Sequence, residues 1–346
     1  MNKIIRFLLQ RNETQSKLFC SPDVTSSRRL YRAEHPTEVI VFKCMDGRLE
    51  VPVITETPVG IIQPFRNIGA KFDLGWPYLN ELIRGLVDYA VKHGRRCLIF
   101  TTYHFSEGNQ HRGCGGFNGD TTAAMMAAKS CKKQLEQIFG EQHSVVHPVL
   151  VGIETDKDAL IFHSDTNGDV LKLADCLEIS DKELVLQVEN LYPSMKSEIL
   201  KDLLPLMYGN IRHIQKVSDR KIETTTHQER ILAIGRGFDW LHLPNQALII
   251  GPYSFDLREP IIKAANILLD NLRDGRISEE DGVVLFSSGV YRDQAGPEQE
   301  LAKTKAQSLS NFAWSVIQEN VPDLCSYVHF LKSVVNQNTR LMTVIE

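Results

Sequence analysis

The 346 residues suffice for about two domains or one large α/β domain, and the 42% hydrophobic content can fill a sizeable core. A net charge of −4 sets up no field across the molecule that would favour nucleic acid or an anionic membrane. No apolar stretch approaches the roughly 18–20 residues of a membrane span, and Ile4–Leu9 is too short, and interrupted by Arg6, to be the apolar core of a signal peptide; a soluble, cytoplasmic protein is expected.

Residues 1–35 are polar and read as an N-terminal leader or helical arm. Glu38–Lys43 is a short apolar strand. Glu56–Ile62 carries a turn and a further short strand, followed by Pro64-Phe65-Arg66-Asn67-Ile68-Gly69. Tyr78–Lys92 predicts a helix, because Leu79, Leu82, Ile83, Leu86, Val87 and Ala90 recur on one face. Gly94 ends it. Cys97–Thr102 is the next strand. Asp120-Thr121 caps a helix over 122–139, stopped by Gly140. Val145–Ile153 and Ala159–Phe162 are further strands. Residues 166–228 read as a connecting helical segment. Gln246–Gly251 is then a strand, Ile261–Leu272 a helix, Gly282–Ser287 a strand and Glu300–Asn320 a helix, with Tyr327–Val334 and Arg340–Ile345 as final strands.

Strands alternating with helices imply an α/β fold with a mainly parallel sheet and flanking helices. The order of elements after residue 228 repeats that of residues 36–165, with Gln246–Gly251 taken as the counterpart of Val39–Phe42. The expected organisation is an internal duplication. A leader covers 1–35, a metal-binding domain 36–165, a connection 166–228, and a second copy 229–346 without cysteine at its strand ends.

Cys44-Met45-Asp46-Gly47-Arg48 follows the apolar run Val39–Phe42, so a thiolate, a carboxylate and a guanidinium leave the end of one strand together. The run Leu98–Thr102 leads to Tyr103-His104, and a polar loop runs on to His111-Arg112-Gly113-Cys114-Gly115-Gly116. Two cysteines and one histidine at neighbouring strand ends form a three-ligand zinc site with an open fourth position, the layout of catalytic zinc. Cys44 and Cys114 supply the sulfurs. His104, fixed on the strand, or His111, three residues before Cys114, supplies the nitrogen. Each residue also has a plainer reading: a lone cysteine after a strand is a small buried apolar group, and Asp46 with Arg48 is an ordinary ion pair. The chain has seven cysteines, an odd count, and with no secretion signal this argues against a disulfide framework.

Cys-x-Asp-x-Arg at 44–48, Arg-Asn-x-Gly at 66–69 and a later histidine with Cys-Gly-Gly at 114–116 resemble the β-class carbonic anhydrases over residues 38–165. The long loop before Cys114 and a degenerate second copy are most similar to the carboxysomal shell branch, a fused pair with one metal site. That branch's long disordered N-terminal extension is not expected here, and a shell compartment is compatible but not implied.

The resemblance implies reversible hydration of carbon dioxide to bicarbonate and a proton by zinc-bound hydroxide, with one Zn²⁺ per chain. It implies that Asp46 accepts a hydrogen bond from that hydroxide and that Arg48 holds Asp46 in place. Asp46 taking the fourth metal position is the alternative state. Backbone N–H groups near Gly115 and Gly116, at a helix start, would favour an anion. Phe238 or Trp240 in the stretch Glu229–Asn245 would line an apolar pocket or else serve as core aromatics. The implied partners are carbon dioxide and bicarbonate, with neither nucleic acid nor membrane, and a homo-oligomer, dimer or higher, is expected. Alternatives are hydrolysis of carbonyl sulfide or carbon disulfide on the same site, or a non-catalytic zinc scaffold or bicarbonate-binding module. A cysteine phosphatase or rhodanese is disfavoured, because Asp46 would repel an anion next to Cys44.

Overall fold

A computed structural model describes residues 2–109, 112–140, 144–219, 227–293 and 296–345. The chain divides into two compact units. One contains Ser26–Cys44 and Leu49–Thr225; the other contains Met1–Thr25, Met45–Arg48 and Thr226–Glu346. In chain order the N-terminal helices are α1 (Lys3–Cys20) and α2 (Pro22–Glu34), and the division falls within α2.

The unit containing Leu49–Thr225 begins its sheet with β1 (Glu38–Cys44), followed by the short helix α3 (Val51–Ile54), β2 (Ile62–Asn67), helix α4 (Pro77–Lys92) and β3 (Cys97–Phe105). Helix α5 (Thr121–Phe139), β4 (Val146–Glu154), β5 (Ala159–His163), β6 (Val170–Lys172) and helices α6 (Asp181–Leu191) and α7 (Ser197–Asp219) complete it. The strand order is β2-β1-β3-β4-β5-β6, with the first four parallel and the last two antiparallel. Val39–Cys44 and Cys97–His104 are buried throughout. That is why these strands read as continuous β-branched and aromatic runs instead of alternating patterns.

Helix α4 buries Leu79, Ile83, Val87 and Ala90, the spacing of one helical face. Helix α5 is capped by the Asp120 side chain, which accepts from the Ala123 N–H, and it ends at Gly140, where φ is 92°. The turn expected within Glu56–Ile62 is present, but the strand begins only at Ile62 and runs through Pro64 to Asn67. Pro64 is accommodated because β2 is the sheet edge, where a missing N–H leaves no central ladder bond unmade.

Residues 166–219 are built into this unit. The Asn210 amide on α7 donates to the carbonyls of Ile54 and Asp158 and accepts from the Leu160 N–H. A Cβ on Gly209 would lie 1.9 Å from the Thr55 carbonyl oxygen, so only glycine lets α7 pass there.

The second unit contains β7 (Ile231–Gly235), β8 (Ala247–Ile250), helix α8 (Arg258–Arg273), β9 (Val283–Tyr291), helix α9 (Glu298–Asn320), β10 (Val328–Asn336) and β11 (Met342–Val344). Its strand order is β11-β10-β9-β7-β8, with β11 antiparallel and the others parallel. This is the order β2-β1-β3-β4-β5 read in reverse. The counterpart of β1 is therefore Ile231–Gly235, and Ala247–Ile250 stands in the place of β2, contrary to the alignment expected from sequence. Both are short apolar runs, and lateral order in a sheet is set by crossovers that local sequence does not report.

Strands β3 and β9 both have nine residues; aligned end to end, with the register carried across to β1 and β7, they set Cys44 against Arg236 and His104 against Val290.

Helix α1 is part of this second core and not a loose leader. Ile4 and Leu8 are buried with Ile231, Ala233, Phe286 and Val335. The Asn12 amide donates to the Arg340 carbonyl and accepts from the Met342 N–H. Phe238 is also in this core, edge-on to Phe286. Trp240 stacks under the Arg340 guanidinium, 3.5 Å from the ring centroid. Both aromatics thus take the plainer of their two expected roles. Among the described residues no helix is long and apolar enough to cross a membrane.

Candidate metal centre

Strands β1 and β3 are parallel neighbours, so their carboxyl ends share one edge of the sheet, where ligands of such sheets bind. Cys44 is the last residue of β1 and His104 the penultimate residue of β3. The Thr102 hydroxyl donates to the Phe42 carbonyl at 2.8 Å and locks the two ends together. Cys114 leads into a 3₁₀ turn over Gly115–Phe117, and its carbonyl accepts from the N–H groups of Phe117 and Gly119, both at 3.0 Å.

The three side chains converge. Cys44, His104 and Cys114 are all buried, and their ligand atoms lie within 4.8 Å of one another. The two sulfurs are 3.9 Å apart. A disulfide would need about 2.05 Å. Two thiolates on one tetrahedral zinc, each at about 2.3 Å, lie about 3.8 Å apart. Neither ring nitrogen of His104 has a hydrogen-bond partner among the described residues. Burying an imidazole in that way is costly unless a ligand takes one nitrogen. Donor set, spacing and orphaned nitrogens all fit zinc. His111, the alternative nitrogen donor, lies outside the described residues.

Beyond Cys44 the segment Met45–Arg48 clusters with the second unit. The Met45 carbonyl accepts from the Ile249 N–H at 2.8 Å, and Asp46 bridges Leu248. A Cβ on Gly47 would lie 2.2 Å from the Ala247 carbonyl oxygen, so this residue of the motif must be glycine. Arg48 grips Asp46 with two prongs. Its Nη2 donates to Oδ2 at 2.6 Å, its Nε donates to both carboxylate oxygens at 3.1 Å, and its backbone N–H donates to Oδ1 at 2.9 Å. The pair is almost wholly buried, a setting in which charge-assisted bidentate bonds hold their geometry.

The other two sequence motifs meet each other. A Cβ on Gly116 would lie 2.8 Å from the Gly69 nitrogen, and one on Gly69, where φ is 58°, would strike the Phe117 ring. Gly116 therefore lets the Cys114 turn close onto Ile68–Gly69. Gly115 and Gly116 begin a 3₁₀ turn in place of the α-helix expected from sequence; α5 begins at Thr121.

Supporting residues that the sequence did not single out are Lys43, Glu50, Glu154 and Asp156. Lys43 Nζ donates to the Leu49 carbonyl, and Glu50 pairs with Arg66 at 3.0 Å. Glu154 accepts the backbone N–H groups of Glu107, Asp156 and Lys157. Burial pushes its carboxyl up despite those bonds. Burial also pushes Asp156 up, but the Gly108 N–H, the Ser106 hydroxyl and the Arg112 charge outweigh it and hold Asp156 below the usual carboxylate range.

Residues 33–203 match the family described as the catalytic domain of the carboxysome shell carbonic anhydrases. Three curated proteins bearing the name carboxysome shell carbonic anhydrase are similar to the chain. That of Hydrogenovibrio crunogenus is 23% identical over 300 residues, covering 75% of this chain and 52% of its own length. That of Prochlorococcus marinus MIT 9313 is 23% identical over 269 residues, covering 66% of this chain and 52% of its own length. That of Prochlorococcus marinus subsp. pastoris is 26% identical over 233 residues, covering 58% of this chain and 46% of its own length. The chain thus spans about half the length of the curated relatives it matches. Taken with the ligand cluster and the two mainly parallel sheets, these matches make the chain a carboxysome-shell-carbonic-anhydrase-like protein, similar over residues 33–203 to the family's catalytic domain.

Proposed function

We propose that the chain binds one zinc ion through Cys44, His104 and Cys114 and catalyses the reversible hydration of carbon dioxide to bicarbonate and a proton. The observation that carries this reading is the convergence of two buried sulfurs and an imidazole whose nitrogens have no other described partner. Held by Cys44, His104 and Cys114, zinc would supply a Lewis acid that lowers the pKa of a water molecule.

The chain's own residues supply the rest. Asp46 accepts a hydrogen bond from the attacking oxygen and turns its lone pair toward the carbon of the substrate. Arg48 fixes the Asp46 carboxylate through the two-pronged contact, so orientation is set before substrate arrives. A purely structural zinc site would need neither residue, which favours the catalytic reading over a scaffold.

The matching strand orders of the two sheets support a duplication in which the second copy kept the fold and lost the ligands, with Arg236 and Val290 at the corresponding positions. The test is metal analysis coupled to stopped-flow hydration of carbon dioxide, with carbonyl sulfide and carbon disulfide assayed in parallel. The proposal expects stoichiometric zinc and carbon dioxide as the better substrate. Zinc without hydration would leave the scaffold reading standing.

A further inference from the structure

Between β3 and Cys114 the described residues, 106–109 and 112–113, form no strand. Such a segment loses much conformational freedom when a metal clamps its ends. One carboxylate restrains it from both sides. Asp156 Oδ2 accepts from the Ser106 hydroxyl and from the Gly108 N–H, both at 2.8 Å, just beyond His104. Asp156 Oδ1 faces Arg112 Nη1 at 3.6 Å, two residues before Cys114. The Ser106 hydroxyl oxygen accepts in turn from the Asn109 N–H at 3.1 Å.

Asp156 is itself well seated. It lies in the turn between β4 and β5, with its N–H bound to Glu154 at 2.9 Å. The same turn extends the sheet, since the Thr155 N–H donates to the Phe105 carbonyl at 2.9 Å. The anchor is therefore rigid and the loop is what it fixes. A carboxylate suits this place better than an amide. It offers acceptors on both oxygens, two donors meeting one oxygen and a guanidinium the other, whereas an amide would turn an N–H toward one of these donor groups.

We propose that Asp156 is a positioning residue for the metal centre, fixing the loop between His104 and Cys114 so that the imidazole and the sulfur are held ready for one ion. This rests on the zinc reading of Cys44, His104 and Cys114. It concerns affinity and geometry at the metal, not chemistry by Asp156 itself.

The test uses the full chain, stripped of metal, then titrated with zinc against a chromogenic chelator and separately loaded with cobalt(II) for its absorption spectrum. Asp156→Ala should weaken zinc binding about tenfold or more, the lower end of what support of a metal ligand contributes, and should alter the cobalt bands. Asp156→Asn, which keeps the volume and serves if the alanine variant fails to fold, should bind zinc with an affinity between those of Asp156→Ala and the parent.

Lys157→Ala is the control. Lys157 is on the same turn and its ammonium pairs with Glu107 of the same loop, but both side chains are exposed and a screened pair of this kind contributes little, so zinc affinity should stay close to the parent value. Parent-like affinity and spectra in both Asp156 variants, or an equal loss in Lys157→Ala, would overturn the positioning role while leaving the zinc site intact. A parent chain that binds neither zinc nor cobalt would overturn the site reading, and the positioning role with it.

Discussion

Arg66 donates from Nη1 to the carbonyl oxygen of Cys44 at 3.3 Å and from Nη2 to the carbonyl oxygen of Leu49 at 3.1 Å. One guanidinium thus holds both ends of the short segment that contains Asp46 and Arg48. Its charge is balanced by Glu50 at 3.0 Å, and both partners are buried.

Arg66→Met should therefore strand the Glu50 carboxylate in the interior. Breaking a buried pair from one side costs about 3–5 kcal/mol. Urea unfolding should show a loss of that order, partly restored in the double variant with Glu50→Gln. A loss under about 1 kcal/mol would show that this pair is not acting as a buried ion pair.

Asp46→Asn should keep zinc, because Asp46 is not among the three converging ligands, and should lose most turnover. Loss of a positioned hydrogen-bonding or acid–base group typically costs about 10²–10⁴-fold in rate. Arg48→Gln should fall in the same direction with a smaller loss. Metal content and stopped-flow rates on the same samples decide it, and full activity in Asp46→Asn would remove the pair from the mechanism.

Two glycines should respond in opposite directions. Gly116→Ala forces a methyl to 2.8 Å from the Gly69 nitrogen and 2.9 Å from Ile68 Cγ1. Overpacking of this kind costs about 1–3 kcal/mol and should also weaken zinc binding, since the turn carries Cys114. Gly85 lies inside α4, and a methyl carbon added there would meet nothing within 4 Å. Gly85→Ala should stabilise by about 0.5–1 kcal/mol through helix propensity alone. Thermal unfolding of both variants checks the pair.

Burial pushes the thiols of Cys97 and Cys131 up from 9.0 to about 12, with the charges of Glu38 and Asp73 adding to the effect. In the unfolded chain these thiols ionise near 9.0, while in the folded chain they keep their protons to about 12. The folded state then binds more protons across that window, so stability should fall as pH rises through it. Unfolding at about pH 8 and about pH 10 should show the decline. At the lower pH, thiol labelling of the native chain should reach the exposed Cys20 quickly and Cys97 and Cys131 only on denaturation.

What the sequence makes legible follows from how local the determinants are. Cys44, Asp46 and Arg48 stand within five residues at the end of an apolar run, and Asp120 with Gly140 bracket α5 by side-chain capping and backbone freedom alone. His104 is legible because β3 is a β-branched and aromatic run that points it at the same sheet edge. The place of Ile231–Gly235 in the sheet is not legible, since neighbouring strands are fixed by distant pairing with β9. Nor is the docking of α1, where Ile4 and Leu8 meet residues more than two hundred positions away. Asp156 is hidden for the same reason: its partners Ser106, Gly108 and Arg112 belong to another stretch of chain, and nothing in their own spacing marks a carboxylate beyond it.

The central claim is that two sulfurs and one imidazole nitrogen share one metal ion. X-ray absorption at the zinc edge of the purified, metal-loaded chain reads that directly. The account predicts one zinc per chain with two sulfur scatterers at about 2.3 Å and nitrogen or oxygen scatterers at about 2.0–2.1 Å, the sulfur shell falling to one in Cys44→Ser or Cys114→Ser. A zinc shell without sulfur, or a chain that takes up no zinc, would contradict it.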